Sequence, residues 1–180
     1  MTAKKHFFPP AIGDADVVFT RFARSWGALA ASYFNAFRDL FSPRACPQKK
    51  DSFRLFPAMM VYRHAIELLL KAIIVNTSGA YCGKQHSVKK LYETVKSAAE
   101  PHQHLAPKHA TFVDEALEEL EEIDAKGQSF RYPANRNGEP HFPGMPEGVN
   151  AAKTWKTCLQ LWSRLWELHG PVKLQPPRSG

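Results

Sequence analysis

A chain of 180 residues, 44% of them hydrophobic and 12% aromatic, is long enough to bury one core and too short for two large domains. This composition excludes an intrinsically disordered protein. The net charge is +7, but seven of the 17 acids lie between Asp114 and Asp124, so that 24 basic residues face ten acids in the rest of the chain. A basic remainder favours a polyanionic partner such as RNA, because binding releases condensed counterions.

The cysteines and the apolar runs indicate the compartment. The three cysteines are widely and irregularly spaced, at Cys46, Cys82 and Cys158. They predict neither a disulfide framework nor a zinc site, and they favour reduced thiols. Pro9 and Pro10 interrupt the start of the chain where a signal peptide needs an apolar run. Glu67 and Lys71 interrupt the longest apolar stretch, which argues against a membrane span. We therefore expect a cytoplasmic protein with no metal, no other cofactor and no membrane partner.

The first predicted helix runs from Asp16 to Phe41 and ends at Ser42 and Pro43. Its apolar residues recur every three or four positions, at Val18, Phe22, Trp26, Leu29, Tyr33, Phe37 and Leu40. Three further aromatics stand beside this stripe, at Phe19, Phe34 and Phe41. We expect them to form a surface for self-association.

The second predicted helix, from Phe53 to Thr77, is apolar almost all the way round, as is typical of a helix in the middle of a bundle. At about 100° per residue, its polar side chains share one narrow arc, formed by Arg63, His64, Glu67 and Lys71. Two interpretations stay open for this arc. It is either a solvent-exposed stripe of salt bridges or a groove for an anionic ligand, since it combines two cations, an imidazole and a carboxylate.

A short third helix follows, with Val88, Leu91, Tyr92 and Val95 on its apolar face. Ser87 is a natural N-cap, which places His86 beside the positive end of the helix. The fourth helix is predicted from Pro107 to Ala125, with the seven acids facing outward. Those acids are interpreted as a solvated face, with a partner-binding stripe as the alternative. His102, His104 and His109 lack the spacing of a metal site within one helix.

Residues 128–147 hold four prolines, and the Asn137–Gly138 pair predicts a turn, so this segment is expected to be a non-helical arm. The last helix is predicted over residues 149–169, with Trp155, Trp162 and Trp166 on its core face. Residues 171–180 are expected to be a flexible tail. The whole predicts an all-α fold, an up-and-down bundle of about five helices, as a single domain over residues 1–180 with its core at about 14–169.

Three separated stretches in this order resemble one known family. They are YRHAIELLLKAII at residues 62–74, HSVKKLYE at 86–93 and SFRYP at 129–133. Together they resemble the HEPN domains, small all-helical modules found mostly in prokaryotes, over residues 54–133. The resemblance implies a helical bundle that is usually dimeric, within a superfamily of toxin and phage-defence ribonucleases and non-catalytic partners of nucleotidyltransferases.

The ribonucleases of that superfamily carry an arginine, usually a polar residue next, and a histidine after four to six intervening residues. This sequence motif is matched by Arg136, Asn137 and His141. In those enzymes the motif begins a helix, whereas Gly138 and Pro140 argue against a helix here. These three residues therefore stand as the alternative site.

Cutting RNA without a metal needs a proton donor or acceptor near the ribose hydroxyl and a cation for the developing charge. The candidate catalytic residues are His64, His86 and Arg63, and the candidate binding residues are Glu67, Lys71, Arg131 and Tyr132. The leading hypothesis is an RNA-directed module, either a metal-independent endoribonuclease of toxin or phage-defence type or a relative that binds RNA or nucleotide without cutting. The alternative is a non-enzymatic, dimeric interaction or scaffold protein, and a third hypothesis is metal-dependent chemistry through the histidines. A homodimer is expected in the first two cases, and a cognate partner protein is a further hypothesis.

Overall fold

In the computed structural model we describe residues 25–42, 52–79, 83–98, 105–124, 129–130, 137–138 and 149–170. Five helices occur within these ranges: α1 (Trp26–Phe41), α2 (Ser52–Ser78), α3 (Val88–Ala98), α4 (Pro107–Asp124) and α5 (Ala151–His169). All the regular secondary structure in these ranges is helical. The predicted all-α bundle of about five helices is confirmed.

Helix α2 is the central element, as its sequence predicts. It has 27 residues, so it is roughly 40 Å long, and α1, α3 and α5 all pack against it. Every residue from Ala65 to Ile74 is buried, which covers more than two full turns on all sides. A helix buried all round must place its polar side chains inside the protein as well, and this requirement shapes the candidate site.

Helix α1 begins at Trp26, where the side chain of the N-cap Ser25 accepts a hydrogen bond from the Ala28 amide, and it ends at Ser42. The first part of the predicted helix, residues 16–24, lies outside the described residues. Helix α1 runs antiparallel to α2, since Trp26 lies over Lys71 while Tyr33 contacts His64.

The aromatics that were expected to form a self-association surface are used inside the protein instead. Phe34 and Phe41 are 7% and 5% exposed, and the Phe34 ring stacks on Trp162 with 4.0 Å between centroids. That expectation was wrong for these two residues, because α5 covers the side of α1 on which they lie. Phe19 lies outside the described residues.

Helices α3 and α4 are antiparallel, and ion pairs connect them. Lys89 pairs with Glu118, and Lys96 donates to Asp114 over 2.7 Å. The apolar face predicted for α3 is confirmed, since Val88, Leu91, Tyr92 and Val95 are all buried. The acidic face of α4 is mostly exposed as predicted, but part of it is neutralised by the lysines of α3.

One acid of that face is an exception. Asp124 was expected to face outward, but it is 1% exposed. Its Oδ1 atom accepts a hydrogen bond from the Ser129 amide over 2.8 Å. The apolar period of α4 explains the correction, because Asp124 follows Leu117 by seven residues and Leu120 by four, and both leucines are buried.

Helix α5 begins at Ala151 with Asn150 as its N-cap and runs parallel to α2. Tyr62 donates its hydroxyl to the Cys158 carbonyl over 2.9 Å, and Asn76 donates to the His169 carbonyl over 3.1 Å. Of the three tryptophans predicted for the core face, Trp155 and Trp162 are half-buried. Trp166 is 38% exposed, so the prediction that it lies on the core face was wrong.

The predicted arm is described only in part. Ser129 and Phe130 form a turn, and a second turn falls at Asn137 and Gly138, where Gly138 has φ +79°. This conformation favours glycine and agrees with the turn that the Asn-Gly pair predicts.

Among the described helices, none is both long and apolar enough to span a membrane.

Candidate functional site

The polar arc of α2 forms a buried cluster of ion pairs. Arg63, Glu67 and Lys71 lie one helical turn apart and are 3%, 3% and 6% exposed. His86 from the segment before α3 and Asp124 from the end of α4 complete the cluster, which we call the ion network. A solvent-exposed stripe is therefore the wrong interpretation of these three residues of the arc.

The Glu67 carboxylate is the centre of the ion network. Its Oε2 atom accepts from Arg63 Nη1 over 2.8 Å, and its Oε1 atom accepts from Lys71 Nζ over 2.7 Å. Oε1 also lies 2.9 Å from His86 Nδ1. Burial alone raises the pKa of Glu67, but the hydrogen bonds and charge of Lys71, Arg63 and His86 outweigh it and lower the pKa from its ordinary value. Glu67 is therefore ionised at neutral pH.

Arg63 connects three parts of the bundle. Besides its bond to Glu67, its Nε donates to the Asp124 carbonyl over 3.0 Å and its Nη2 donates to the His86 carbonyl over 2.6 Å. The Asp124 carbonyl belongs to the last turn of α4, where carbonyls lack helical partners. The guanidinium thus joins α2 to α4 and to the segment before α3, and its donors face protein acceptors rather than an open groove.

Asp124 was missed as a member of the ion network. Its Oδ2 atom lies 3.7 Å from Arg63 Nε. The sequence did carry a signal for it, since the position continues the buried face of α4, but the surrounding run of exposed acids concealed that signal.

His86 is the exposed member of the ion network. Its side chain is 64% exposed, whereas the Glu67 carboxylate behind it is 5% exposed. Lys84 and Lys90 flank it in sequence, and both are exposed. The ring therefore offers an imidazole at the surface, between two exposed lysines in the sequence and supported from below by a buried carboxylate.

The start of α3 is capped by side chains of the protein itself. Gln85 Oε1 accepts from the amides of His86 and Ser87 over 3.0 and 2.9 Å. Glu121 Oε2 accepts from the Val88 amide over 3.0 Å, and the predicted cap Ser87 accepts from Lys90. The amides of Val88 and Lys90, which a phosphate would use at this end of the helix, are therefore already engaged.

The other predicted site residues are not gathered here. His64 lies against α1, where its ring meets Tyr33 edge-on with 4.6 Å between centroids. Asn137 lies in the described turn of the arm and is exposed. Arg131, Tyr132, Arg136 and His141 lie outside the described residues. The structure thus brings together Arg63, Glu67, Lys71 and His86 and leaves His64 on another side of α2.

Two further features bear on possible ligands. Within the described ranges, no three histidine, cysteine or acidic side chains cluster closely enough to hold a metal ion.

A cleft of about 330 Å³ lies between α2, α4 and α5, with Met59, Leu120 and Cys158 among its mostly apolar walls. Burial raises the pKa of the Cys158 thiol to about 12, so the thiol is protonated. The ion network does not line this cleft.

Comparison with protein families identifies the family of this chain. The family model described as "HEPN domain" matches residues 54–168, which is more than half of the chain. It extends well beyond the three stretches that carry the resemblance and takes in α3, α4 and most of α5. No curated protein and no solved structure matches the chain.

Proposed function

Because the chain belongs to the HEPN family, we propose that it is an RNA-directed module whose contact surface is centred on His86. HEPN membership is compatible with an RNA-related function. The observation that carries the proposal is the exposed His86 ring, which a buried, ionised carboxylate holds at a surface flanked by lysines.

Exposed lysines beside His86 suit the phosphates of an RNA. Lys84 and Lys90 are exposed, and within the described residues neither forms an ion pair, so both are available to phosphates. Lys89, between them, is engaged by Glu118. Since phosphate contacts supply most of the affinity of sequence-independent RNA binding, this surface would bind RNA in a salt-dependent manner.

The finer proposal is that bound RNA is cleaved without a metal. His86 would take the proton of the ribose 2′-hydroxyl as its oxygen attacks the phosphorus, and the bond from phosphorus to the 5′-oxygen would break. The leaving 5′-oxygen would take a proton from water, and Lys84, Lys90 or Arg131 would stabilise the developing charge. Arg63 and Lys71 are poorly placed for that second task, because they are buried and donate to Glu67. Arg136, Asn137 and His141 remain the alternative site, as the family spelling implies.

The test is binding and cleavage of a labelled, unstructured RNA by the parent protein and by variants at two salt concentrations. His86→Ala should abolish any cleavage, and Lys90→Ala should weaken binding and reduce the salt slope by about 0.7. His109→Ala on α4 and Lys156→Ala on α5 are matched controls that should leave both unchanged. If cleavage is lost in Arg136→Ala and His141→Ala but kept in His86→Ala, the site lies in the arm. If the parent protein does not bind RNA at low salt, the proposal fails.

A second candidate function is a non-enzymatic interaction module that acts as a dimer. The observation in its favour is a group of exposed apolar side chains at one end of the bundle: Trp26, Leu29 and Trp166 are 39%, 36% and 38% exposed. A Cβ atom at Gly27 would touch His169, and His169 stacks on Trp166, so the start of α1 and the end of α5 meet at this end of the bundle. Exposed apolar side chains grouped at one end of a protein are typical of a protein–protein contact.

A further inference from the structure

We infer that Glu67 is a positioning residue that keeps the proton of neutral His86 on Nδ1 and so presents Nε2 as the hydrogen-bond acceptor at the surface. The ligand group that this nitrogen would receive is a hydroxyl or another neutral donor. The choice of a ribose hydroxyl as that group rests on the proposed function. The proton position itself does not depend on it.

The first step is the chemistry of the acceptor. An ionised carboxylate has no proton to give, so any ring nitrogen that hydrogen-bonds it must carry one. Glu67 Oε1 lies 2.9 Å from His86 Nδ1. A donor from Lys71 and one from Arg63 hold the same carboxylate over 2.7 and 2.8 Å and favour its charged form. With Glu67 ionised, the contact has one consistent assignment, an Nδ1–H donor.

The second step is the fixed position of the ring. The His86 carbonyl accepts from Arg63 Nη2 over 2.6 Å, and the His86 amide donates to Gln85 over 3.0 Å. Arg63 and Glu67 are themselves one turn apart on a buried helix. The carbonyl and the ring of His86 are therefore held by neighbouring side chains of one rigid element, which is what a preorganised group requires.

The third step is what remains exposed. With Nδ1 turned to Glu67, the outer part of a side chain that is 64% exposed includes Nε2. Within the described residues, no hydrogen bond engages Nε2. A neutral imidazole that donates from one nitrogen accepts at the other, so Nε2 can accept the proton of an approaching hydroxyl. A partner that orients one ring nitrogen thereby determines the role of the other.

The test is a ¹⁵N NMR spectrum of the full-length protein with labelled histidine, recorded at increasing pH until the ring signals stop shifting and the rings are neutral. The shifts and ring-proton couplings of the two nitrogens distinguish the tautomers, and the signal missing in His86→Gln assigns His86. The Nδ1–H form should exceed the other by more than about tenfold, the factor expected of one hydrogen bond to a charged acceptor. A parent spectrum dominated by the Nε2–H form overturns the inference.

The variant experiment tests the cause. In Glu67→Gln the side chain offers both a donor and an acceptor, so the preference should fall or reverse, while His109 on α4 keeps its shifts. A folded Glu67→Gln protein with an unchanged His86 spectrum contradicts the role of Glu67. If this variant does not fold, the parent spectrum still decides the inference. The proposed function is judged separately, because the spectrum needs no RNA and the RNA assay needs no tautomer assignment.

Discussion

Arg63 shows how a charged residue becomes a structural one. It was a candidate for contacting a phosphate, but each of its three named donors faces a protein acceptor and the residue is 3% exposed. Moving such a group out to a ligand would leave Glu67 and two carbonyls without it inside the protein. A buried charge whose partner is lost is strongly unfavourable, so the arrangement is stable only as a set.

We therefore expect Arg63→Ala to lower the free energy of unfolding by about 3–5 kcal/mol, because it leaves the Glu67 carboxylate with one buried cation fewer. The measurement is urea denaturation followed by circular dichroism. Arg164→Ala is the matched control, since Arg164 forms a more exposed ion pair with Glu167 on α5 and should cost at most about 1 kcal/mol. Equal losses in the two variants would show that the ion network does not stabilise the fold.

The pKa of Glu67 gives a prediction about pH. It lies below the ordinary value of 4.5, so as the pH falls the unfolded chain takes up this proton before the folded protein does. The contribution of Glu67 to stability is therefore complete above about pH 4.5 and is lost as the pH falls through the lowered pKa. We expect the free energy of unfolding to fall less steeply in Glu67→Gln than in the parent protein between about pH 5 and pH 3.

Glu115→Gln is the control for that experiment, because Glu115 is exposed on α4 and its removal should leave the parent slope unchanged. If Glu67→Gln is too unstable to measure, the ¹³C shift of the Glu67 carboxyl in the parent protein reports the same quantity. If the Glu67 carboxyl titrates at or above its ordinary pKa of 4.5, the prediction of a lowered pKa is wrong.

Where α1 crosses α5, the two helices meet through a glycine. A Cβ atom at Gly27 would lie 2.7 Å from His169 Nε2, which is closer than a packed contact allows. The His169 ring has little freedom to move, since it stacks on Trp166 and its Nδ1 lies 3.1 Å from the Gly170 carbonyl. The crossing therefore depends on the absence of a side chain at position 27.

This arrangement predicts a change of sign in a double-mutant cycle. Gly27→Ala should destabilise the parent protein, because overpacking by about 1–3 kcal/mol outweighs the gain of about 1 kcal/mol from better helix propensity. In a His169→Ala background the contact is gone, and the same change should stabilise by about 1 kcal/mol. Thermal unfolding of the four proteins measures both effects. Stabilisation by Gly27→Ala in both backgrounds would show that the helices separate without cost.

At the level of the assembly, Trp26, Leu29 and Trp166 leave apolar surface exposed at one end of the bundle. We expect the protein to dimerise at about 50 µM, and Trp166→Glu to weaken the dimer about 30-fold, because an aromatic anchor in an interface contributes about 2 kcal/mol or more. Sedimentation equilibrium is the measurement. Val149→Glu is the control, since Val149 is 48% exposed at the other end of α5. A parent protein that stays monomeric at this concentration would exclude the dimer.

The helices themselves could be predicted from the chain alone, because helix formation depends on neighbours three and four residues away. The apolar face of α3, the cap Ser87 and the central place of α2 all follow from such local spacing. The turn at Asn137 and Gly138 is equally local. His86 and Glu67 could also be named as candidates from the sequence, since an imidazole before a helix and a carboxylate on an apolar helix are visible there; that they form a functional site stays a prediction.

The burial of these residues and the partners that they bind depend on contacts between distant parts of the chain. Arg63 meets Asp124 across 61 positions, and Glu67 meets His86 across 19. Whether a polar arc faces solvent or the interior is determined by which helix packs over it, and periodicity along one helix carries no information about its neighbour. For the same reason, sequence placed Phe34 and Phe41 at a surface and Trp166 in the core, whereas the packing of α1 against α5 buried the first two and exposed the third.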